Sequence, residues 1–203
     1  MVKNKLHKRI FELALKYELT HIGSAISCVD IIDEIYNIKK SGEPFFLGNS
    51  HAFLALAVIL EKFEKKNAEQ LIKENGTHAN RNLKNGIYCS GGSLGSVEAI
   101  ALGCAMTTKT NVYLLSSDGG MMNEIPWSVL RVKADKNISN LKWYINANGF
   151  GAYNTINTND LSHRIYSFCP DIKVIKTHFH DYKFLNGIDA HYTKVTEKDL
   201  ENA

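Results

Sequence analysis

The sequence predicts an α/β protein built on a parallel β-sheet with helices on both faces, and three observations lead there. Apolar runs at 111–115 and 141–146 bracket a helical pattern from about 123 to 136, a strand, a helix and a strand within about 35 residues. Such a crossover makes its two strands parallel and close neighbours in one sheet. Four helical patterns precede this unit and one more apolar run, at 172–177, follows it. With 203 residues, 44% of them hydrophobic, the chain suits one substantial core, so a single domain over 1–203 is expected.

Each element has a local reason. Leu6, Ile10, Leu13, Ala14 and Tyr17 recur at helical spacing and predict the first helix. A second is expected over 28–37, with Ser27 as its N-cap and Asp30 in its first turn. Residues 51–65 read as a third helix, entered from a loop at 41–50. A fourth, rich in small residues, covers 96–107 and is entered from the glycine-rich "CSGGSLGS". No internal repeat, low-complexity segment or proline-rich linker divides the chain.

Composition excludes several classes. The net charge of +3 is mild and the basic residues are mixed with acidic ones, so Lys3, Lys5, Lys8 and Arg9 read as a solvated helix face rather than a nucleic-acid contact. No apolar run approaches the roughly 20 residues that span a bilayer, and the N-terminus lacks the apolar core of a signal peptide. A soluble, cytoplasmic protein with no membrane partner is expected. Cys28, Cys89, Cys104 and Cys169 show no C-x-x-C pairing, which argues against a zinc knuckle or a disulfide framework; all four read as small, mostly buried residues.

The chemistry concentrates in "LLSSDGGMMNEIPW". In an open parallel sheet, ligands collect beyond the carboxyl ends of the strands. Asp118 lies just past the first strand of the crossover and Asn148 just past the second, so both belong to one edge. A carboxylate, an amide oxygen and a nearby carbonyl are hard ligands of the kind Mg²⁺ or Ca²⁺ accepts while leaving room for phosphate oxygens. Gly119 and Gly120 let backbone amides approach an anion, and the following helix would turn its positive end there. Taken alone, the pair reads equally well as a helix cap and a turn closer. "SGGSLGS" adds a second glycine-rich loop opening a helix; no Gly-Lys-Ser/Thr follows, so it is not a P-loop.

Asp-Gly followed thirty positions on by Asn148 resembles the thiamine diphosphate motif of the transketolase family. In matching order, "THIGSAISCVDIIDEIY" resembles that family's His-x-Gly-x-x-x-Ser opening and "LGNSHAFLALAVIL" its Ser-x-Gly-His stretch. "GTHANRNLKNGIYCSGGSLGSVEAIALGCAM" resembles its Gly-His segment and the Gly-Ser/Pro-Leu-Gly loop. The likeness runs from about Leu6 to Phe150.

The resemblance implies a thiamine-diphosphate-binding fold trimmed near the C-terminus. Asp118, the Asn148 side chain and the Phe150 carbonyl would hold Mg²⁺ or Ca²⁺ on the diphosphate of thiamine diphosphate. His21 and His51 would lie at the diphosphate and the reacting centre, and Gly119 and Gly120 would add backbone contacts. His78 would face the substrate, and Gly92, Ser93, Leu94 and Gly95 would line the cofactor channel. The tail "FLNGIDAHYTKVTEKDLENA" resembles the end of the family's diphosphate domain and makes His191 a further candidate. Two departures stand out: Ser117 precedes Asp118, and Asn123 takes the place of a family glutamate, with Glu124 one step later.

The activity implied is transfer of a two-carbon ketol unit from a ketose to an aldose, on sugars or sugar phosphates, with the cofactor supplying the carbanion chemistry. In the family the glutamate that activates the cofactor lies in a second domain. This chain is therefore expected to act as one subunit of a split transketolase, inactive alone and paired with a pyrimidine-binding chain in an α2β2 heterotetramer. The alternatives are another thiamine enzyme such as a deoxyxylulose-type synthase, a non-catalytic partner protein of the same fold, and an unrelated nucleotide-binding α/β protein.

Overall fold

A computed structural model describes residues 5–202; Lys3 of the basic N-terminal group lies outside them. Four strands, β1 (Phe45–Leu47), β2 (Val112–Ser117), β3 (Leu141–Ala147) and β4 (Lys173–Lys176), form one sheet in sequence order, and every neighbouring pair is parallel. The expected crossover is present: β2 and β3 pair from Val112↔Leu141 to Ser117↔Asn146, joined by the helix α6 at Glu124–Asp135.

Alternation along the strands builds two cores. Phe45, Leu47, Tyr113, Leu115 and Tyr144 point to one side, where α1 (Lys5–Lys16), α2 (Ile22–Ile38) and α3 (Phe53–Glu64) cover them. Phe46, Val112, Leu114, Trp143 and Ile145 point to the other, beneath α5 (Ser96–Thr107), α6 and α7 (Thr158–Phe168). Helices therefore lie on both faces, and the central strands are apolar on both sides, as buried parallel strands are. Each fully buried Leu, Ile or Phe contributes about 1.5–3 kcal/mol relative to exposure.

Several local expectations are corrected. The second helix begins at Ile22, six residues before the expected start, so Ser27 is an interior residue of α2 and caps nothing. His51 lies in a single 3₁₀ turn, Ser50–Ala52, and α3 starts only at Phe53. The loop expected over 41–50 contains β1, whose three residues are all buried and so show no alternation. The short helix α4 (Ala68–Asn75), capped by Asn67 accepting from the Gln70 amide, and α7 were not foreseen. Of the cysteines, Cys28 and Cys169 are buried, Cys89 and Cys104 are half-buried, and all four are free. No helix among the described residues is long and apolar enough to cross a membrane.

Candidate active site

The register of the sheet brings β2 and β3 to a common carboxyl edge, and the chain leaves each strand in a tight turn. After β2, Asp118 is 1% exposed; its carboxylate accepts from the Gly119 amide at 2.9 Å and from the Gly149 amide at 2.7 Å. The second bond needs Gly149 at φ +86°, a conformation glycine adopts freely, and it ties the two turns together. Asn148 belongs to the second turn, its Oδ1 accepting from the Phe150 amide at 2.9 Å. The residues predicted as metal ligands, Asp118, Asn148 and Phe150, thus occupy one pair of linked turns.

Burial pushes the Asp118 carboxyl up to about 6, even though backbone amides donate to it, and no basic side chain contributes to offset its charge. A desolvated carboxylate without a counter-charge, beside an amide and a peptide carbonyl, fits a hard divalent cation. Among the described residues no three His, Cys, Asp or Glu side chains are grouped for a metal, so any cation here would rest on this mixed oxygen set. The glycine amides differ from expectation. Gly119 donates to Asp118 and Gly120 to the Ser117 hydroxyl at 3.0 Å, so both are engaged within the chain. A 3₁₀ turn, Gly120–Met122, also separates them from α6, whose end does not follow the glycines directly.

A second group assembles from distant segments. His21, His51, His78 and His191 meet, with ring centroids 4.1 Å apart for His21 and His191, 5.3 Å for His51 and His191, 5.4 Å for His21 and His51 and 5.8 Å for His21 and His78. His21 stands at the start of α2 with φ +66°, strained for a non-glycine residue, and its amide donates to the His191 carbonyl at 2.8 Å. That bond, with Ala190 against Gly23, seats the tail segment Gly187–His191 on the helix end. Burial and the neighbouring imidazoles push His21 down to about 4 and His51 to about 3; burial first, then His78, lowers His191. His21 and His51 are therefore neutral at pH 7, each ring offering one donor and one acceptor. Thr20 and Thr77 hydroxyls hold the Nδ1 atoms of His21 and His78 at 2.8 and 2.9 Å.

The two groups adjoin: Asn148, Phe150 and His191 line the same cavity of about 10 Å³, together with Gly23 and Ser24. A wider groove, about 630 Å³, lies elsewhere, between Met122, Trp127 and Phe168. In the glycine-rich loop, Gly92 and Ser93 are exposed and Leu94 is half-buried. Gly95, at φ +90°, packs on Asn123 and Pro126, and Gly91 abuts Ser50 beside His51.

Three features were missed by the sequence reading. Glu98 is fully buried, accepts from Ser116 at 2.7 Å, leaves Oε2 without a partner and has its pKa raised by burial. Ser27 receives the side-chain amides of Asn146 and Asn148. His178 and His180, exposed after β4, stack parallel, and His180 stands edge-on to Phe150. Only the alternation in "HFHD" announced any of these.

An α/β protein with a four-stranded parallel sheet between helical layers, carrying polar groups along its carboxyl edge, is the class these features define. Its fold is similar to transketolase structures. The transketolase from Campylobacter jejuni superposes with a TM-score of 0.63 at 15% identity, over 80% of this chain and 30% of that one. The transketolase from Leishmania mexicana gives 0.61 at 13% identity, over 85% and 35%. The chain thus spans about a third of the length of either. No protein-family description and no curated protein matches the sequence.

Proposed function

We propose that this chain supplies the diphosphate-binding part of a transketolase-type thiamine enzyme, and that it works with a separate chain supplying the pyrimidine-binding part in an α2β2 heterotetramer. The observation that carries the reading is the meeting of four imidazoles, one of which, His191, lines a cavity with Asn148 and Phe150 of the turns linked to Asp118. The transketolase-like fold supports it.

Asp118, Asn148 and the Phe150 carbonyl would hold Mg²⁺ or Ca²⁺ against the diphosphate, which would relieve the uncompensated burial of Asp118. Thiamine diphosphate, when bound, supplies the carbanion chemistry that makes and breaks the bond beside a ketose carbonyl. The protein's part is to orient and to move protons. Thr20 and Thr77 engage the Nδ1 atoms of His21 and His78, which leaves Nε2 to meet sugar hydroxyls. His51 and His191 complete the wall, and proton transfer of this kind contributes about 10²–10⁴-fold. Gly92, Ser93, Leu94 and Gly95 would line the approach, and the substrates would be sugars or sugar phosphates.

A second reading, a non-catalytic protein of the same fold, is favoured by the engaged Gly119 and Gly120 amides and by the small cavity beside Asn148. Ketol transfer separates the two. The chain, mixed with its pyrimidine-domain partner, Mg²⁺ and thiamine diphosphate, should convert a ketose and an aldose into a new pair. Cofactor binding without transfer to any aldose favours the second reading.

A further inference from the structure

Ser27 occupies an interior position of α2 and is 4% exposed, yet it is the junction of a polar network. Its hydroxyl donates to the Ser24 carbonyl at 3.2 Å and accepts from the Asn146 Nδ2 at 2.9 Å and the Asn148 Nδ2 at 3.2 Å. A hydroxyl has one proton and two acceptor sites. All three are used.

The network fixes which way both amides face. Asn146, 1% exposed, is held from its other side by the Thr177 hydroxyl, which donates to its Oδ1. Its Nδ2 therefore stays on Ser27. Asn148 follows two residues later and brings its own Nδ2 to the same oxygen, so its Oδ1 is turned the other way, to the Phe150 amide at 2.9 Å. An amide flipped by half a turn would set an NH₂ group where an oxygen is needed, and an NH₂ group repels a cation.

We propose that Ser27 is a positioning residue for the divalent cation: through its hydroxyl it holds the amide nitrogen of Asn148 and so leaves the oxygen, rather than the nitrogen, facing the Phe150 turn that Gly149 ties to Asp118. This deepens the thiamine reading above and rests on it. Ser27 would act through Asn148 rather than as a ligand itself.

The test uses the whole chain mixed with its pyrimidine-domain partner, with Mn²⁺ standing in for Mg²⁺ because both take an octahedral set of oxygens. Mn²⁺ is titrated in the presence of thiamine diphosphate, and its unbound fraction is read by electron paramagnetic resonance. Ser27→Ala removes only the hydroxyl and places the best helix former inside a helix, so the fold is retained. Loss of an outer-shell partner costs about 10–100-fold in metal affinity, and a weakening in that range is expected. Thermal unfolding of the chain without cofactor should stay cooperative at a lowered Tm, because the buried Asn146 amide loses its acceptor, and Ser27→Thr, which keeps the hydroxyl, should recover the metal affinity. Wild-type Mn²⁺ affinity in Ser27→Ala overturns the proposal, as does a loss of affinity that Ser27→Thr does not recover. If wild type itself takes up no Mn²⁺ with thiamine diphosphate, the thiamine reading fails and this inference with it; the wild-type arm distinguishes that failure from the others.

Discussion

Replacing His51 with glutamine should make the protein less sensitive to acid. In the fold His51 is half-buried among His21, His78 and His191, and burial first, then those neighbours, push its pKa from 6.5 to about 3. In the unfolded chain it returns to its ordinary value. Between these two values the unfolded state binds the extra proton, so the contribution is intact above pH 6.5 and is lost as the pH falls from there toward 3. At about 1.4 kcal/mol per pH unit, lowering the pH from 7.5 to 5 costs about 2 kcal/mol through His51 alone. His21, lowered to about 4, adds a loss of similar size. His51→Gln cannot charge, so its share of the loss should vanish. Urea unfolding at pH 7.5 and pH 5, read by far-ultraviolet circular dichroism, should show a loss smaller by about 2 kcal/mol in the variant. For a chain of this size that is about 4–8 °C in Tm. Equal acid sensitivity of the two proteins would refute the packing of His51 as a neutral ring in the cluster.

Other perturbations separate site from scaffold. Asp118→Asn removes a carboxylate that the fold buries without a counter-charge; calorimetry should show metal-dependent thiamine diphosphate binding lost, with a cooperative unfolding transition retained. Gly95→Ala puts a Cβ at 3.1 Å from both Asn123 and Pro126 on a backbone with φ +90°, and thermal unfolding should show a loss of about 1–3 kcal/mol. Trp143→Phe removes the indole donor from the buried Ser116 hydroxyl, 2.9 Å away, and leaves a void; a loss of about 2–3 kcal/mol is expected in urea titration.

The crossover was readable because its strands are long apolar runs and its helix is bounded by Asn123 and a turn after Asp135. The early start of α2 was hidden because Gly23 and Ser24 disfavour a helix locally; packing decides instead, since Gly23 lets Ala190 approach where a Cβ would sit only 3.0 Å away. That same contact comes from the far end of the chain, which no local pattern reveals. The strand β1 is three residues long and buried on both faces, so it carries no periodic signal. Asp118 and Asn148 could be placed on one edge from strand ends alone. The gathering of His21, His51, His78 and His191, by contrast, depends on four separate loops and was suggested only through the resemblance. Ser27 was misread because a serine before an apolar run is commonly a cap, while its actual partners lie 119 and 121 residues away.

Calorimetric titration of thiamine diphosphate with Mg²⁺ tests the central claim most directly, first on this chain and then on its mixture with the pyrimidine-domain chain. The account predicts metal-dependent binding that is weak for the chain alone and tight in the mixture. A folded chain that binds no thiamine diphosphate in either setting, with or without Mg²⁺, would contradict it.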